Sequence, residues 1–299
     1  MRTKRYNEWL RDGFEFKPDS FGNYFYAEHN LTSLEGAPES VGGNFNCRTN
    51  KLTSLEGAPK RVGGGFGCSA NMLTSLVGAP ESVGGHFNCS ANMLTTLEGA
   101  PKRVGGDFYC SGNSLMTLEG APESVGGHFY CDSNMLTTLK GAPESVGGDF
   151  DCSGNSLMTL EGAPKRVGKD FYCDSNMLTT LEGAPESVGG NFNCRDNSLM
   201  TLKGAPEKIV GNFSCDEFTI DSGKWGIEGW LEVLEKGTEK AKSLILTLLS
   251  EDELDKYFTE HPTELYVLDE LPEIKKGVLK RTGIKDLSRL GRTIKTGLI

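Results

Sequence analysis

Residues 31–51, LTSLEGAPESVGGNFNCRTNK, set the pattern for most of this chain. The same 21-residue unit occurs nine times up to about Asp221, without insertion or deletion. Leu, Gly, Pro, Phe and Cys columns persist in all nine copies, and an Asn column runs from Asn50 to Asn197 before Phe218 replaces it. A fixed period of this length predicts a solenoid, because each unit is too small to bury its own apolar face and must stack on its neighbours.

The Phe-x-Cys segment of each unit, such as Phe45 and Cys47, alternates with variable polar residues. A period of two predicts a strand with one buried face, and identical strands would stack in parallel at about 4.8 Å per unit. The following Asn is expected to bond backbone groups in the turn, so that stacked copies form a ladder. Gly42 and Gly43 suit a tight corner, and residues 36–38 (Gly-Ala-Pro) suit an extended return path.

The pattern Phe-x-Cys-x-x-Asn-x-Leu resembles the later part of the leucine-rich-repeat signature. Phe45, Cys47, Asn50 and Leu52 occupy the matching places, whereas Gly42 stands where the first Leu is usual. The remaining LTSLEGAPESV resembles the convex half of short bacterial effector repeats. This resemblance implies a mainly β repeat solenoid with a concave parallel sheet of nine to ten short strands. Because that fold serves many partners, it implies protein binding and no particular chemistry.

The regular GAPxxVGGxFxC form also resembles repeats encoded by tailed bacteriophages. That second resemblance implies an inhibitor or sequestering factor for a host protein, such as a defence component, acting in the host cytosol.

The first 30 residues are predicted to form an N-terminal cap. Tyr6 and Leu10 have helical spacing, and residues 22–26 align with residues 43–47 as a degenerate first strand. Aromatic residues in this strand suit a terminal unit, whose core is covered on one side only.

Residues 222–299 contain no repeat and no Cys, and their patterns predict a small α-helical C-terminal domain. Ser250 and Glu253 have capping-box spacing, and Pro272 is placed to start a helix. Residues 275–299 hold eight Lys or Arg and one Asp, so nucleic acid or acidic lipid is an alternative partner for this segment alone. A solvated helix face explains the same charges.

Composition limits the function further. The first 221 residues carry nine of the ten net negative charges, which is the wrong sign for a nucleic-acid-binding solenoid. No apolar run is long enough for a membrane span, and the N-terminus has no signal-peptide core. Each repeat holds one of the nine Cys, and no Cys-x-x-Cys pair supplies a zinc site. We therefore expect buried, reduced thiols, no metal or other cofactor, and a cytoplasmic protein.

The outward strand positions are the candidate binding residues, because packing is not expected to fix them. Across repeats four to seven these positions turn acidic and Tyr-bearing. This favours a protein partner with a basic patch, and Tyr is a common interface anchor. The simple alternative is a soluble strand surface. A metal ion held by His86, Asp107 and His128 is a further alternative, although alternate strands lie about 10 Å apart. The candidate protein-binding residues are His86, Asp107, Tyr109, His128, Tyr130, Asp132, Asp149, Asp151, Asp170, Tyr172 and Asp174.

No nucleophile, base and orienting group can be assembled from the sequence, so we expect no enzymatic activity and no catalytic residues. Effector ligases with similar repeats use a Cys in a larger C-terminal domain, and this C-terminal region has none. Two other functions remain open. The solenoid could be a targeting scaffold for an effector or enzymatic helical domain, or it could be a structural part of a virion or surface assembly.

Overall fold

A computed structural model of the chain describes residues 16–269 and 272–284. The helix predicted around Tyr6 and the basic segment beyond residue 284 lie outside the described residues. Among the helices that are described, none is long and apolar enough to cross a membrane.

The solenoid is built from short strands of two residues each. Each repeat contributes one strand at its Phe and a second at its Val or Ile. In chain order the strands are Tyr24–Phe25 (β1), Ser40–Val41 (β2), Phe45–Asn46 (β3), Arg61–Val62 (β4), Phe66–Gly67 (β5), Ser82–Val83 (β6), Phe87–Asn88 (β7), Arg103–Val104 (β8), Phe108–Tyr109 (β9), Ser124–Val125 (β10), Phe129–Tyr130 (β11), Ser145–Val146 (β12), Phe150–Asp151 (β13), Arg166–Val167 (β14), Phe171–Tyr172 (β15), Ser187–Val188 (β16), Phe192–Asn193 (β17), Lys208–Ile209 (β18), Phe213–Ser214 (β19) and Thr219–Ile220 (β20).

The odd-numbered strands and β20 form one eleven-stranded sheet, which we call the Phe sheet. Strands β1 to β19 of this sheet run parallel and in register, so that Phe45 lies beside Phe66 and Phe66 beside Phe87. The predicted parallel sheet of nine to ten short strands is confirmed. Strand β20 was not predicted; it pairs antiparallel with β19 and covers the last edge of the sheet.

A second parallel sheet of nine strands, formed by the even-numbered strands β2 to β18 and called the outer sheet below, was also not predicted. In each of its strands the Val or Ile is buried, and in most the preceding Ser, Arg or Lys is exposed. Two residues are too few to display a period of two, so these segments carry no recognisable strand pattern. The two sheets enclose the core between them.

The core consists of stacked identical side chains. The nine repeat Phe rings are buried and stack with ring centroids 5.1 to 5.6 Å apart. All nine Cys are buried and free, as predicted. Their thiols donate to the next repeat where the geometry permits, as from Cys89 Sγ to the Tyr109 carbonyl at 3.3 Å. Burial raises the pKa of every one of these thiols.

The predicted Asn ladder is present, and Asn113 shows its geometry. Its Oδ1 accepts the amides of Asn92 and Leu94 at 3.2 and 3.1 Å. Its Nδ2 donates to the carbonyls of Cys110 and Cys89 at 3.0 and 3.2 Å. Each Asn therefore joins its own turn to the preceding repeat.

The ladder ends at the ninth repeat, where Phe218 replaces Asn. There the carboxylate of Asp216 accepts the amides of Asp196 and Asn197 instead, at 2.6 and 3.3 Å. An acidic side chain thus caps the last turn that the missing Asn would have capped.

The glycine of each Gly-Ala-Pro segment lies in a turn, whereas an extended return path was predicted. The Gly-Ala-Pro segment is not extended: the nine glycines of this column have φ between 82° and 95°, and the Ala37 amide closes a turn on the Leu34 carbonyl at 3.0 Å. A side chain at Gly57 would also come within 2.8 Å of the Leu34 backbone. At Gly63, φ is not positive; glycine is required because a Cβ would lie 2.4 Å from the Gly42 carbonyl. Close stacking of neighbouring backbones therefore decides these positions.

Helices follow β20 and pack onto the last repeat. Trp225 packs on Phe213 with ring centroids 4.5 Å apart and donates from Nε1 to the Pro206 carbonyl at 3.0 Å. Thr247 Oγ1 accepts the amide of Leu202 at 2.9 Å. The helices are Ile227–Lys236 (α1), Glu239–Leu246 (α2), Glu251–Glu260 (α3), a 3-10 helix at Pro262–Leu268, and Pro272–Thr282 (α4). The predicted capping box at Ser250 and Glu253 is present at the start of α3, and Pro272 starts α4 as predicted.

Candidate protein-binding surface

The strand face is the surface formed by the outward side chains of the Phe sheet. A first column of residues precedes each Phe, a second column follows it, and a third follows each Cys. All eleven candidate residues lie on this face, along the five adjacent strands β7 to β15. The alternation of the sequence therefore placed these residues together correctly.

The first column forms a second hydrogen-bonded ladder, which was not predicted from the sequence. Asp107 Oδ1 accepts the amide of His128 at 2.8 Å, and His128 Nδ1 accepts the amide of Asp149 at 3.0 Å. Asn44 and Asn191 make the same bond to the next repeat. The expectation that packing leaves these positions free is wrong for this column. The signal was in the sequence, because every member except one Gly is Asn, Asp or His, each able to accept a hydrogen bond.

Asp107 is the most enclosed member of this column. It is buried, and its Oδ2 accepts the Tyr109 hydroxyl at 2.8 Å and lies 3.0 Å from His86 Nδ1. Burial raises the pKa of this carboxyl, but hydrogen bonds from His128 and Tyr109 outweigh it, so the pKa is lowered from its ordinary value. Asp107 therefore stays ionised and fixes its neighbours more than it offers a free charge to a partner.

The three Tyr side chains are half-buried, and each hydroxyl is held by a carboxylate of the same face. Tyr172 donates to Asp170 at 2.8 Å, whereas Tyr130 reaches Asp149 of the next repeat at 3.4 Å. Burial, together with these carboxylates, raises the pKa of Tyr109 and Tyr130 to about 12. The Tyr109 and Tyr130 rings stack 5.1 Å apart. The ring surfaces, not the hydroxyl groups, are thus what these residues offer to a ligand.

Asp132, Asp151 and Asp174 form an acidic cluster on repeats five to seven. Burial raises the pKa of Asp151, and the charges of Asp132 and Asp174 add to this, despite hydrogen bonds from Ser153. Burial also raises the pKa of Asp174. Within residues 16–269 and 272–284, none of the three carboxylates forms an ion pair with Lys or Arg. Negative charge is therefore concentrated here without an internal counter-ion.

The metal alternative gains no support from the geometry. The two His nitrogens that face the column accept backbone amides, His86 Nδ1 from Asp107 at 2.9 Å and His128 Nδ1 from Asp149. Across the described part of the chain, no three His, Cys, Asp or Glu side chains are grouped so as to hold a metal ion. The His residues act as members of the ladder.

The Asn ladder decides the type of repeat. Parallel strands stacked at one repeat each, with an Asn closing the turn after each of eight successive strands, β3 to β17 of the Phe sheet, are what the leucine-rich-repeat signature encodes. The solenoid has the leucine-rich-repeat fold. The resemblance drawn from the sequence is thereby confirmed.

Comparison with known proteins adds little to this leucine-rich-repeat assignment. No protein-family model matches the chain, and no curated protein matches it. Among solved structures, the chain is similar to YopM, a leucine-rich effector protein from Yersinia pestis, at 18% sequence identity and a TM-score of 0.31. The match covers 71% of this chain and 76% of YopM. At that TM-score the likeness carries no argument about function.

Proposed function

We propose that this chain is a non-catalytic protein-binding scaffold that captures a partner bearing a basic patch through its strand face. The observation that carries the proposal is the acidic cluster of Asp132, Asp151 and Asp174. Burial raises the pKa of Asp151 and Asp174, and the charges of Asp132 and Asp174 raise that of Asp151 further, so these carboxylates cost folding free energy at neutral pH. Within the described residues no Lys or Arg pairs with the cluster. A basic partner would supply the missing counter-charge.

The Tyr rings beside this cluster suit the same partner. Tyr109, Tyr130 and Tyr172 are already oriented by their hydrogen bonds, so binding would cost little side-chain entropy. An Arg or Lys of the partner can lie over a ring face while it approaches the carboxylates. We expect the rings to supply most of the binding energy and the carboxylates to govern the association rate.

The absence of catalysis is part of the proposal. The nine thiols are buried and their pKa values are raised, so none is poised as a nucleophile. The contacts of Trp225 and Thr247 with the last repeats support a capping role for the helices over the alternative of a separate effector domain. Nine free thiols also suit a reducing cytosol.

The biological setting that we propose follows the resemblance of the GAPxxVGGxFxC repeat to phage-encoded repeats. In that setting the chain is made in an infected bacterium and sequesters a host protein, such as a defence component, in the host cytosol. Support for this setting comes from the sequence resemblance alone.

The test is capture of a partner from host cytosol by the full chain and by matched variants. Replacing Tyr109, Tyr130 and Tyr172 with Ala should abolish capture, while replacing them with Phe should largely preserve it because the rings remain. Replacing Glu39 and Lys60, an exposed ion pair of the outer sheet, should have no effect. Capture that survives the triple Ala variant and follows the helical region would refute the proposal and favour the effector-domain alternative.

A further inference from the structure

Repeat two interrupts the strand face. It is the one repeat with Gly at both outward strand positions, Gly65 and Gly67. Where the two side chains are missing, the face holds an open cavity of about 430 Å³, which we call the notch. Its walls are Asn44, Asn46 and Arg48 on one side and His86, Asn88 and Tyr109 on the other.

The first-column ladder is broken in the notch. The amide of Gly65 donates to Asn44 Oδ1 at 2.6 Å, but Gly65 has no side chain to accept the amide of His86. That amide makes no hydrogen bond within the described residues. A Cβ at Gly65 would lie 3.7 Å from the His86 nitrogen, so the vacated space adjoins this donor, although the His86 carbonyl and Asn44 Oδ1 lie closer, at 3.2 and 3.3 Å. Both of these oxygens already accept backbone amides, from Phe66 and Gly65. In repeats three to eight, the first-column side chain accepts the backbone amide of the next repeat. In the notch that acceptor is missing, so the His86 N–H is available to a ligand.

The walls of the notch add further donors. Asn46 and Asn88 use their Oδ1 atoms for the amides of Arg48 and Ser90, at 3.1 and 3.0 Å. This leaves their Nδ2 groups without an acceptor among residues 16–269 and 272–284. The Arg48 side chain is exposed and forms no ion pair there. No Asp or Glu lines the notch.

We propose that the notch binds a carboxylate, supplied by an Asp or Glu side chain of the protein partner. A carboxylate can accept from a guanidinium, from amide groups and from a backbone N–H at once. No carboxylate lines the notch itself, although the ionised Asp107 contacts the wall residues His86 and Tyr109. The protein source of this carboxylate rests on the function proposed above. The strand face then carries hydrogen-bond donors in the notch at repeat two and carboxylates in the acidic cluster at repeats five to seven. A partner with an acidic residue and a basic patch would bind in one orientation only.

The binding site is tested directly by NMR on the full, isotope-labelled chain. The probes are N-acetyl-glutamate α-amide, its neutral isostere N-acetyl-glutamine amide, and inorganic phosphate. In the millimolar range the glutamate probe should shift the His86 amide resonance saturably, and the glutamine probe should bind at least about tenfold more weakly, since charge-assisted hydrogen bonds are the stronger ones.

Two variants locate the response. Gly65→Asn fills the notch and supplies the missing acceptor, so it should abolish the shift while the chain remains folded. Arg48→Gln should weaken binding about tenfold, whereas Lys60→Gln, which removes the same charge from the outer sheet, should not. No saturable shift, equal binding of the glutamine probe, tighter binding of phosphate, or an unchanged response in Gly65→Asn would each overturn the inference. Because no partner is present, these outcomes are independent of the Tyr variants that test the proposed function.

Discussion

Replacing Asn113 with Ala tests how much the Asn ladder stabilises each repeat. The side chain is buried and makes hydrogen bonds to five backbone groups in two repeats. Ala keeps the backbone path but offers neither donor nor acceptor. The bond to the Leu94 amide is buried, and this amide has no second acceptor among the described residues, so water cannot readily replace the lost partner. The carbonyls of Cys89 and Cys110 keep the Nδ2 groups of Asn92 and Asn134 as donors.

The magnitude follows from the buried Leu94 amide. A buried polar group left without a partner costs about 1–3 kcal/mol, whereas the part-buried Asn92 amide can recover water. We therefore expect Asn113→Ala to lower the free energy of unfolding by about 1–3 kcal/mol. Asn113→Asp should cost at least as much, because a carboxylate keeps the acceptor but repels the carbonyl oxygens of Cys89 and Cys110 that the Asn113 amide group contacts.

The assay is urea unfolding at pH 7, followed by far-ultraviolet circular dichroism. Ser114→Ala is the control, because the Ser114 side chain makes no hydrogen bond within the described residues, and it should change stability by less than about 0.5 kcal/mol. Similar losses in the two variants, or a loss below about 1 kcal/mol for Asn113→Ala, would mean that the ladder is not what holds the turns together.

Two further predictions concern titratable groups. The nine buried thiols should react with a thiol reagent only after unfolding, because burial removes access and raises their pKa; rapid labelling of the native chain would contradict the packed core. Asp151→Asn should stabilise the chain at pH 7, since Asn can still accept from Ser153 while the repulsion is removed. The Asp151 pKa is raised above 3.8 in the folded state, so this carboxyl opposes folding at neutral pH and that penalty fades as the pH falls through the folded pKa. Urea midpoints at pH 7 and at about pH 5 should therefore differ less for the variant than for the wild type, and an unchanged difference would refute the assignment.

The repeat columns were sufficient to predict the core because identical residues at a fixed period must stack on their own copies. Phe45, Cys47 and Leu52 are buried for that reason, and the Asn ladder follows from the same register. The turn at Gly57 was not predicted, because the close approach of the Leu34 backbone arises only when coils are stacked. The second sheet was not predicted, because its two-residue strands are too short to show the alternation of buried and exposed residues.

For the candidate surface, the alternation around each Phe placed all eleven residues on one face. It did not reveal which of them are committed to the fold. Asp107 and Asp149 accept backbone amides of the next repeat, so these carboxylates stabilise the stacking of the repeats. Asp132 and Asp174 lie in the third column, outside that ladder, and are the better indicators of a partner. Side-chain pairing across repeats, such as Tyr130 with Asp149, depends on geometry that a single repeat cannot show.

The claim that the strand face binds a protein is tested most directly by site-specific photo-cross-linking in host cytosol. A photoreactive p-benzoyl-phenylalanine would replace Tyr130 on the strand face or, as a control, Ser124, which is exposed on the outer sheet. We predict one specific cross-linked protein from position 130, suppressed by high salt because the acidic cluster steers the encounter, and none from position 124. The same product from position 124, or no product from position 130 while the partner is still captured, would contradict the account.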